Sequence, residues 1–259
     1  MILFTGGGKI AEAYKKKYNI KIISARNSSE KKLRTEIKNA NVIFHNAALI
    51  SSENKEYLYN GNVLLTIKLI NICQEVNKNI RFIFFSSMSF LDNDSSYLPL
   101  NKMSNYAYSK YLAEKTCLNS NLKNITSLRF STIFYKDQNR DGISRLIYDA
   151  IKKKEITIYN NGIATRDIIP INVLIDYLNK ITTQERVQKT YNIVSGVETS
   201  FYEIVKIILK ENPKLNINNI LLKKTTNILS NFSSKDVLTL GKININLESE
   251  INAYIDSLK

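Results

Sequence analysis

The chain has one histidine and two cysteines in 259 residues, and no apolar run approaches the roughly 18 residues that span a bilayer. A single histidine excludes multi-histidine metal sites. Cys73 and Cys117 are too few for a disulfide framework and fit a reducing compartment. Without a Cys-x-x-Cys pair no structural zinc is expected, so the expectation is a metal-free protein. The start, MILFTGGGKI, is apolar but turns to glycine at once, with neither a basic opening nor a small-residue cleavage site. It reads as a strand, and the chain as soluble, cytoplasmic and without membrane contact.

What is present is ordinary globular material, 44% hydrophobic and 23% charged, which excludes a disordered chain. Thirty-seven Lys+Arg against 23 Asp+Glu give a formal charge of +14. The basic runs are short: Lys15-Lys16-Lys17, Lys152-Lys153-Lys154, and the pairs Lys31-Lys32 and Lys223-Lys224. None reaches the five or six like charges of a nucleic-acid arm. Lysine-rich helix faces come first as the explanation, a field that attracts an anionic phosphate ester second, and nucleic acid last.

Short apolar runs alternate with amphipathic stretches in the first half, the pattern of a parallel sheet wrapped by helices. Strands are expected at Ile2-Leu3-Phe4, Ile20 to Ile23, Asn41 to Phe44, Arg81 to Phe85 and Thr126 to Phe130. Helices are expected after Gly6-Gly7-Gly8, from a Ser28 or Ser29 cap to about Lys38, from about Lys55 to Val76, and from about Ser104 to Leu118. A loop carrying Asp92, Asp94 and Pro99 precedes the last of these. Further on, Ile143 to Lys153, Val173 to Ile181 and Phe201 to Leu209 read as helices, Ile156 to Tyr159 and Tyr191 to Val194 as strands. The tail from Pro213 mixes both signals. The expected fold class is α/β, a Rossmann-type doubly wound parallel sheet with a small C-terminal substrate-binding lobe. Residues 1–131 form the nucleotide-binding domain, with 166–194 returning to it, and 132–165 with 195–259 form the lobe.

Three segments carry chemistry. Thr5-Gly6-Gly7-Gly8-Lys9-Ile10-Ala11 joins a strand to a helix, where glycines admit a pyrophosphate to helix N-terminal amides. The second strand ends in Ser24-Ala25-Arg26-Asn27, with no carboxylate to hold ribose hydroxyls. Arg26 suits a 2′-phosphate, which an acid would repel, so NADP is expected, with NAD as the alternative. Tyr106 and Lys110 are four apart and share a helix face. An ammonium beside a phenol lowers its pKa and fits it for acid–base work. Ser86 and Ser87 end the preceding strand, where open α/β sheets bind ligands.

With these residues in place, the chain resembles the extended short-chain dehydrogenase/reductases, in the NAD(P)-dependent epimerase/dehydratase family that modifies nucleotide sugars. Eight segments match in order over nearly the whole length: Thr5 to Ala11; Val42 to Ala48, ending in His45-Asn46-Ala47-Ala48; Asn62-Val63 with Thr66; Phe84 to Ser87; Tyr106 with Lys110; Leu128 to Tyr135; Gly162 with Thr165-Arg166-Asp167; and Tyr191 to Gly196. The resemblance implies that Gly6, Gly8, Lys9, Ile10, Arg26, Asn46, Ala47, Ala48, Tyr106 and Lys110 bind the dinucleotide. It makes Ser87, Tyr106, Lys110 and Asn62 catalytic, Asn62 by positioning a proton-relay water. It gives Ser87, Thr132, Arg145 and Arg166 to the substrate, the arginines to its diphosphate. It also implies a homodimer through helices near 55–76 and 104–118, although Leu64, Ile67, Tyr111 and Leu112 equally suit packing on the sheet.

The departures sharpen the reading. The glycine motif is a residue shorter than the family's G-x-x-G-x-x-G, and Arg26 to Asn41 has no room for an extra strand. Thr132 replaces a usual asparagine and Asn172 a usual aspartate. Ser87-Met88-Ser89-Phe90 lacks the Asp-Glu pair of the family's 4,6-dehydratases, and His45, Cys73 and Cys117 sit where core residues belong. What remains is hydride transfer at a sugar carbon. The expected function is NADPH-dependent reduction of a keto group on a nucleotide-linked sugar. An NAD-dependent 4-epimerase and a non-catalytic NADP- or RNA-binding relative stay open.

Overall fold

The computed structural model describes residues 1–50, 53–92, 96–184, 188–222 and 245–259. Asp94 and the Lys223-Lys224 pair lie outside them. The chain divides into two units. The first takes Met1–Asp92, Ser96–Phe130 and Ile175–Ile193, and the second takes Ser131–Leu174 and Val194–Lys259.

Six strands build the first unit: β1 (Ile2–Phe4), β2 (Lys21–Ile22), β3 (Val42–His45), β4 (Arg81–Ser87), β5 (Ile125–Phe130) and β9 (Thr190–Ile193). They pair in the order β2-β1-β3-β4-β5-β9, every pair parallel. Both faces of such a sheet are covered, which is why its strands read as unbroken apolar runs. Alternate side chains divide between the faces. Leu3, Ile43, Phe82 and Phe84 join a core with α2 (Glu30–Lys38), α4 (Leu65–Val76) and α5 (Asn105–Leu118). Phe4, Phe44, Phe85 and Phe130 form an aromatic layer with Tyr14 of α1 (Lys9–Lys17). Only α2 fits between β2 and β3, so the chain crosses back over β1 at once. The ends of β1 and β3 therefore lie side by side, at the point where such sheets bind ligands.

Caps set the helix starts that matter here. Ser29 accepts from the Lys32 amide and Ser104 from the Ala107 amide, so α5 begins one turn before Lys110. The expected helix over 55–76 is broken: α3 (Lys55–Leu58) runs into a π-helical turn, Tyr59–Leu64, before α4. A period count cannot see the extra residue of a π-turn, which is common at functional sites.

The second unit is a three-stranded sheet, β10 (Glu198–Ser200), β8 (Thr165–Pro170) and β6 (Thr132–Phe134), and a parallel pair, β11 (Asn216–Ile220) with β7 (Glu155–Tyr159). Phe134, Ile147, Ile168, Ile208, Ile251 and Ile255 fill its core, drawn from these strands and from α6 (Gly142–Lys152), α8 (Phe201–Glu211) and α9 (Leu247–Leu258). The expected return at 166 is corrected: β8 pairs with β6 and β10 and not with the parallel sheet, and the return begins at Ile175, inside α7 (Ile171–Thr183). The strands β6 and β10, which pair with β8, have three residues each, too few for a periodicity to read.

Candidate active site

The turn after β1 is held by a side chain. The Gly6 amide donates to Asn46 Oδ1 at 2.8 Å, and Asn46 Nδ2 donates back to the Gly6 carbonyl at 2.8 Å. Ala47 abuts this turn so closely that a Cβ on Gly6 would stand 3.1 Å from Ala47 Cα. Gly8 is the N-cap of α1 and offers no side-chain cap. With no side chain capping it, the N-terminus of α1 keeps the positive end of the helix dipole, which draws an anion. A helix N-terminus without a side-chain cap and a tight glycine turn together fit a dinucleotide pyrophosphate.

Beyond β2, Arg26 lines a pocket of about 350 Å³ with Leu49, Tyr57, Gly61, Leu64 and Lys68. Its Nη2 donates to the Gly61 carbonyl at 3.3 Å. No carboxylate lines this pocket among the described residues, and Lys68 adds a second cation. Sequence reasoning missed Lys68, because α4 reaches the pocket only through the π-turn. A Cβ on Gly61 would stand 2.2 Å from Leu49 Cδ1, so the Leu49 side chain would have to shift to admit one.

Ser87 closes β4 and Tyr106 lies in the first turn of α5. Burial raises the Tyr106 phenol above its ordinary pKa, and the adjacent Ser87 hydroxyl draws it down. Ser87 Oγ also donates to Ser89 Oγ at 2.9 Å. Lys110, one turn on, is buried: Nζ donates to the Phe85 carbonyl at 2.5 Å and lies 4.2 Å above the Phe84 ring. Burial pulls its pKa down to about 8, with Cys117 and Glu114 acting the other way. The expected lowering of the Tyr106 pKa by Lys110 is corrected accordingly. Desolvation dominates the phenol, and one of the three Lys110 Nζ protons goes to the Phe85 carbonyl.

Asn62, in the π-turn, is also buried. Its Oδ1 accepts from the Leu49 amide at 2.7 Å, and Nδ2 donates to the Leu49 carbonyl at 3.0 Å and to Ser109 Oγ at 2.9 Å. Both amide protons are used, so its side chain fixes the loop after β3 and the helix of Tyr106; the expected water-relay role gives way to that.

In the second unit, Thr132 opens β6, opposite Ile168. Arg145 donates from Nε to the Gln138 carbonyl at 3.1 Å and lines a pocket of about 360 Å³ between α6 and β7. Arg166 is not among that pocket's lining residues; it donates to the Thr165 carbonyl at 2.6 Å and lies 5.8 Å over Phe201. Its neighbour Asp167 is a buried hub that sequence reasoning quoted without a role. Its carboxylate accepts from Ser131 Oγ, Ser195 Oγ and the Ser195 and Gly196 amides.

A family model described as the NAD dependent epimerase/dehydratase family matches residues 11–194, more than half of the chain. The chain belongs to that family. As an NAD(P)-dependent epimerase/dehydratase-family enzyme it departs where the match starts, at Ala11, just past the shortened glycine turn. Among solved structures it is similar to an NAD-dependent NDP-hexosamine 5,6-dehydratase of tunicamycin biosynthesis, TunA, with a TM-score of 0.82 at 14% identity over 98% of this chain and 96% of that one. A UDP-glucuronic acid 4-epimerase from Bacillus cereus gives 0.80 at 18% over 100% and 99%. An ADP-L-glycero-D-manno-heptose-6-epimerase from Helicobacter pylori gives 0.77 at 20% over 99% and 95%. At such identities the likeness is one of fold. No curated protein matches the chain in sequence.

Two buried groups behind the site complete this epimerase/dehydratase-family enzyme. Glu114 takes a bidentate bond from Arg129, with Nη2 2.6 Å from Oε1, and one from Ser127 Oγ at 2.7 Å. Ser86 Oγ is buried and has no hydrogen-bond partner among the described residues. Deleting a buried, unsatisfied hydroxyl removes a desolvation cost. Ser86→Ala is therefore expected to raise stability by about 1 kcal/mol in urea unfolding, and a loss of that size would contradict it. Among the described residues, no group of three His, Cys, Asp or Glu side chains could hold a metal, and no helix is long and apolar enough to cross a membrane.

Proposed function

We propose that this chain is an NADP-dependent oxidoreductase that reduces a keto group of a nucleotide-linked sugar. The observation that carries the reading is the pairing of the Tyr106 and Ser87 hydroxyls at the end of β4. A phenol raised by burial is fully protonated near neutrality, the state a proton donor needs. The dinucleotide, when bound, supplies the hydride to the carbonyl carbon. Ser87 holds the carbonyl oxygen, and Tyr106 gives it a proton as the negative charge develops there. Lys110 braces α5 against β4 and orients the ribose. Arg166 and Arg145 bind the diphosphate, where a planar fork matches two oxygens.

Arg26 and Lys68, in a pocket without a carboxylate, support a 2′-phosphate. Arg26→Ala is expected to weaken NADPH about tenfold or more by calorimetry while leaving NADH nearly unchanged, the effect of one charged hydrogen bond. A second reading, an NAD-dependent 4-epimerase, is favoured by the family description, which names NAD. Dinucleotide that co-purifies and turnover without added reductant would support it. Preference for NADH would sink the NADP assignment.

A further inference from the structure

The only histidine of the chain is not a surface or ligand residue. His45 ends β3, is fully buried, and packs between the rings of Phe82 and Phe84. Both ring nitrogens are engaged, Nδ1 with Thr5 Oγ1 at 2.9 Å and Nε2 with Thr66 Oγ1 at 2.8 Å. The direction of each bond follows from the neighbours. Thr66 has one hydroxyl proton and donates it to the Asn62 carbonyl at 2.6 Å, so it accepts from His45 and Nε2 carries the hydrogen. Burial, reinforced by Lys110 and Arg26, holds the imidazole neutral, with a pKa of about 3. Nδ1 is then a bare acceptor, which the Thr5 hydroxyl fills. Thr5 Oγ1 in turn accepts from the Ala47 amide at 3.4 Å.

Every proton in this series points the same way. It starts at Ala47, beside the glycine turn, and passes through Thr5, His45 and Thr66 to the carbonyl of Asn62. The Asn62 side chain continues it to Ser109 Oγ, which donates to the Tyr106 carbonyl at 2.8 Å. We infer that His45 is a positioning residue, locked as the Nε2–H tautomer, that ties the turn after β1 to the π-turn of Asn62 and to the first turn of the Tyr106 helix. Asn62 lies in the π-turn, where the regular i to i−4 ladder is interrupted. The series exists whatever the chain catalyses; only the description of its first end as the dinucleotide seat rests on the function proposed above.

A lone histidine makes the test direct, since every imidazole signal of the full chain, carried on a histidine-free tag, is its own. Ring nitrogen NMR on 15N-histidine protein is expected to show the neutral Nε2–H tautomer, unchanged down to about pH 4. Amide exchange then reads the coupling. Thr5→Val, at the β1 end, is expected to speed exchange at Asn62–Leu64 and at Ala107–Lys110 about fivefold, the worth of one buried hydrogen bond, and to leave α2 unchanged. In a His45→Phe background, Thr5→Val should add nothing at those amides. If His45→Phe does not fold, Thr66→Val, which keeps the imidazole, makes the same comparison. An Nδ1–H tautomer, an imidazolium at neutral pH, or an exchange change confined to β1 and β3 would overturn the inference. None of these measurements needs a dinucleotide. A chain that shows the coupling and binds no NADPH therefore refutes the proposed function alone.

Discussion

Tyr106→Phe is expected to lower the rate of keto-sugar reduction by about three orders of magnitude while NADPH binds as before, the size of effect that follows loss of a general acid. The substitution removes one hydroxyl and leaves the frame intact. Ser104 still caps α5, and Asn62 still reaches Ser109. Single-turnover oxidation of NADPH separates the proton-transfer step from binding. The pH dependence adds a second check with a definite sign. Burial raises the Tyr106 pKa, so its acid form persists through neutral and mildly alkaline pH. The wild-type reductive rate should hold through neutrality; a decline near pH 8 follows loss of the Lys110 proton, and the phenol itself is lost only above its ordinary range of about 10. A fall centred near 7 would mean that another group supplies the proton, and full activity in Tyr106→Phe would end the proposal.

Glu114→Ala is expected to cost about 3–5 kcal/mol of stability, the penalty for leaving a buried charge without its partner. Both groups of the pair are inaccessible, with side-chain exposures of 1% for Glu114 and 11% for Arg129. Arg129 is also stacked over Phe90 and Tyr97 and donates to the Tyr97 hydroxyl at 2.8 Å, so it cannot swing out to water when the carboxylate goes. Urea midpoints measure the effect. Replacing both residues by methionine should recover most of the loss, since apolar pairs of similar volume substitute well for buried ion pairs. A single variant within 1 kcal/mol of wild type would show that Arg129 finds water after all. Because Glu114 lies one turn beyond Lys110, the same variant should further lower the lysine pKa, which Glu114 now raises.

Much of the candidate site could be proposed from the sequence because its spacing is local. Tyr106 and Lys110 are one helical turn apart, and Ser87 ends an apolar strand, so period and position suffice to bring them to one edge of the sheet. The missing strand between Arg26 and Asn41 was legible as a shortage of residues. Lys68, the fixed amide of Asn62 and the hub at Asp167 were not legible, because each depends on partners tens of residues away. Asn62 reads as the family's active-site asparagine, and only the approach of Leu49 and Ser109 shows that its amide protons are used.

By itself the sequence determined the parallel sheet, the glycine turn and the cation after β2, and it named the candidate catalytic groups. Those follow from hydrophobic period, backbone freedom and charge, which act between near neighbours. Only the tertiary structure decided their electrostatics. The expectation that Lys110 activates Tyr106 failed because spacing says nothing of solvent: burial raises the phenol, and the Phe85 carbonyl takes the ammonium. Likewise a histidine at a strand end reads only as a core residue until Thr5 and Thr66 close on either side of it and fix its tautomer. The energy of a charge or a proton is set by the whole surrounding volume, and that volume is assembled from segments that the linear chain keeps far apart.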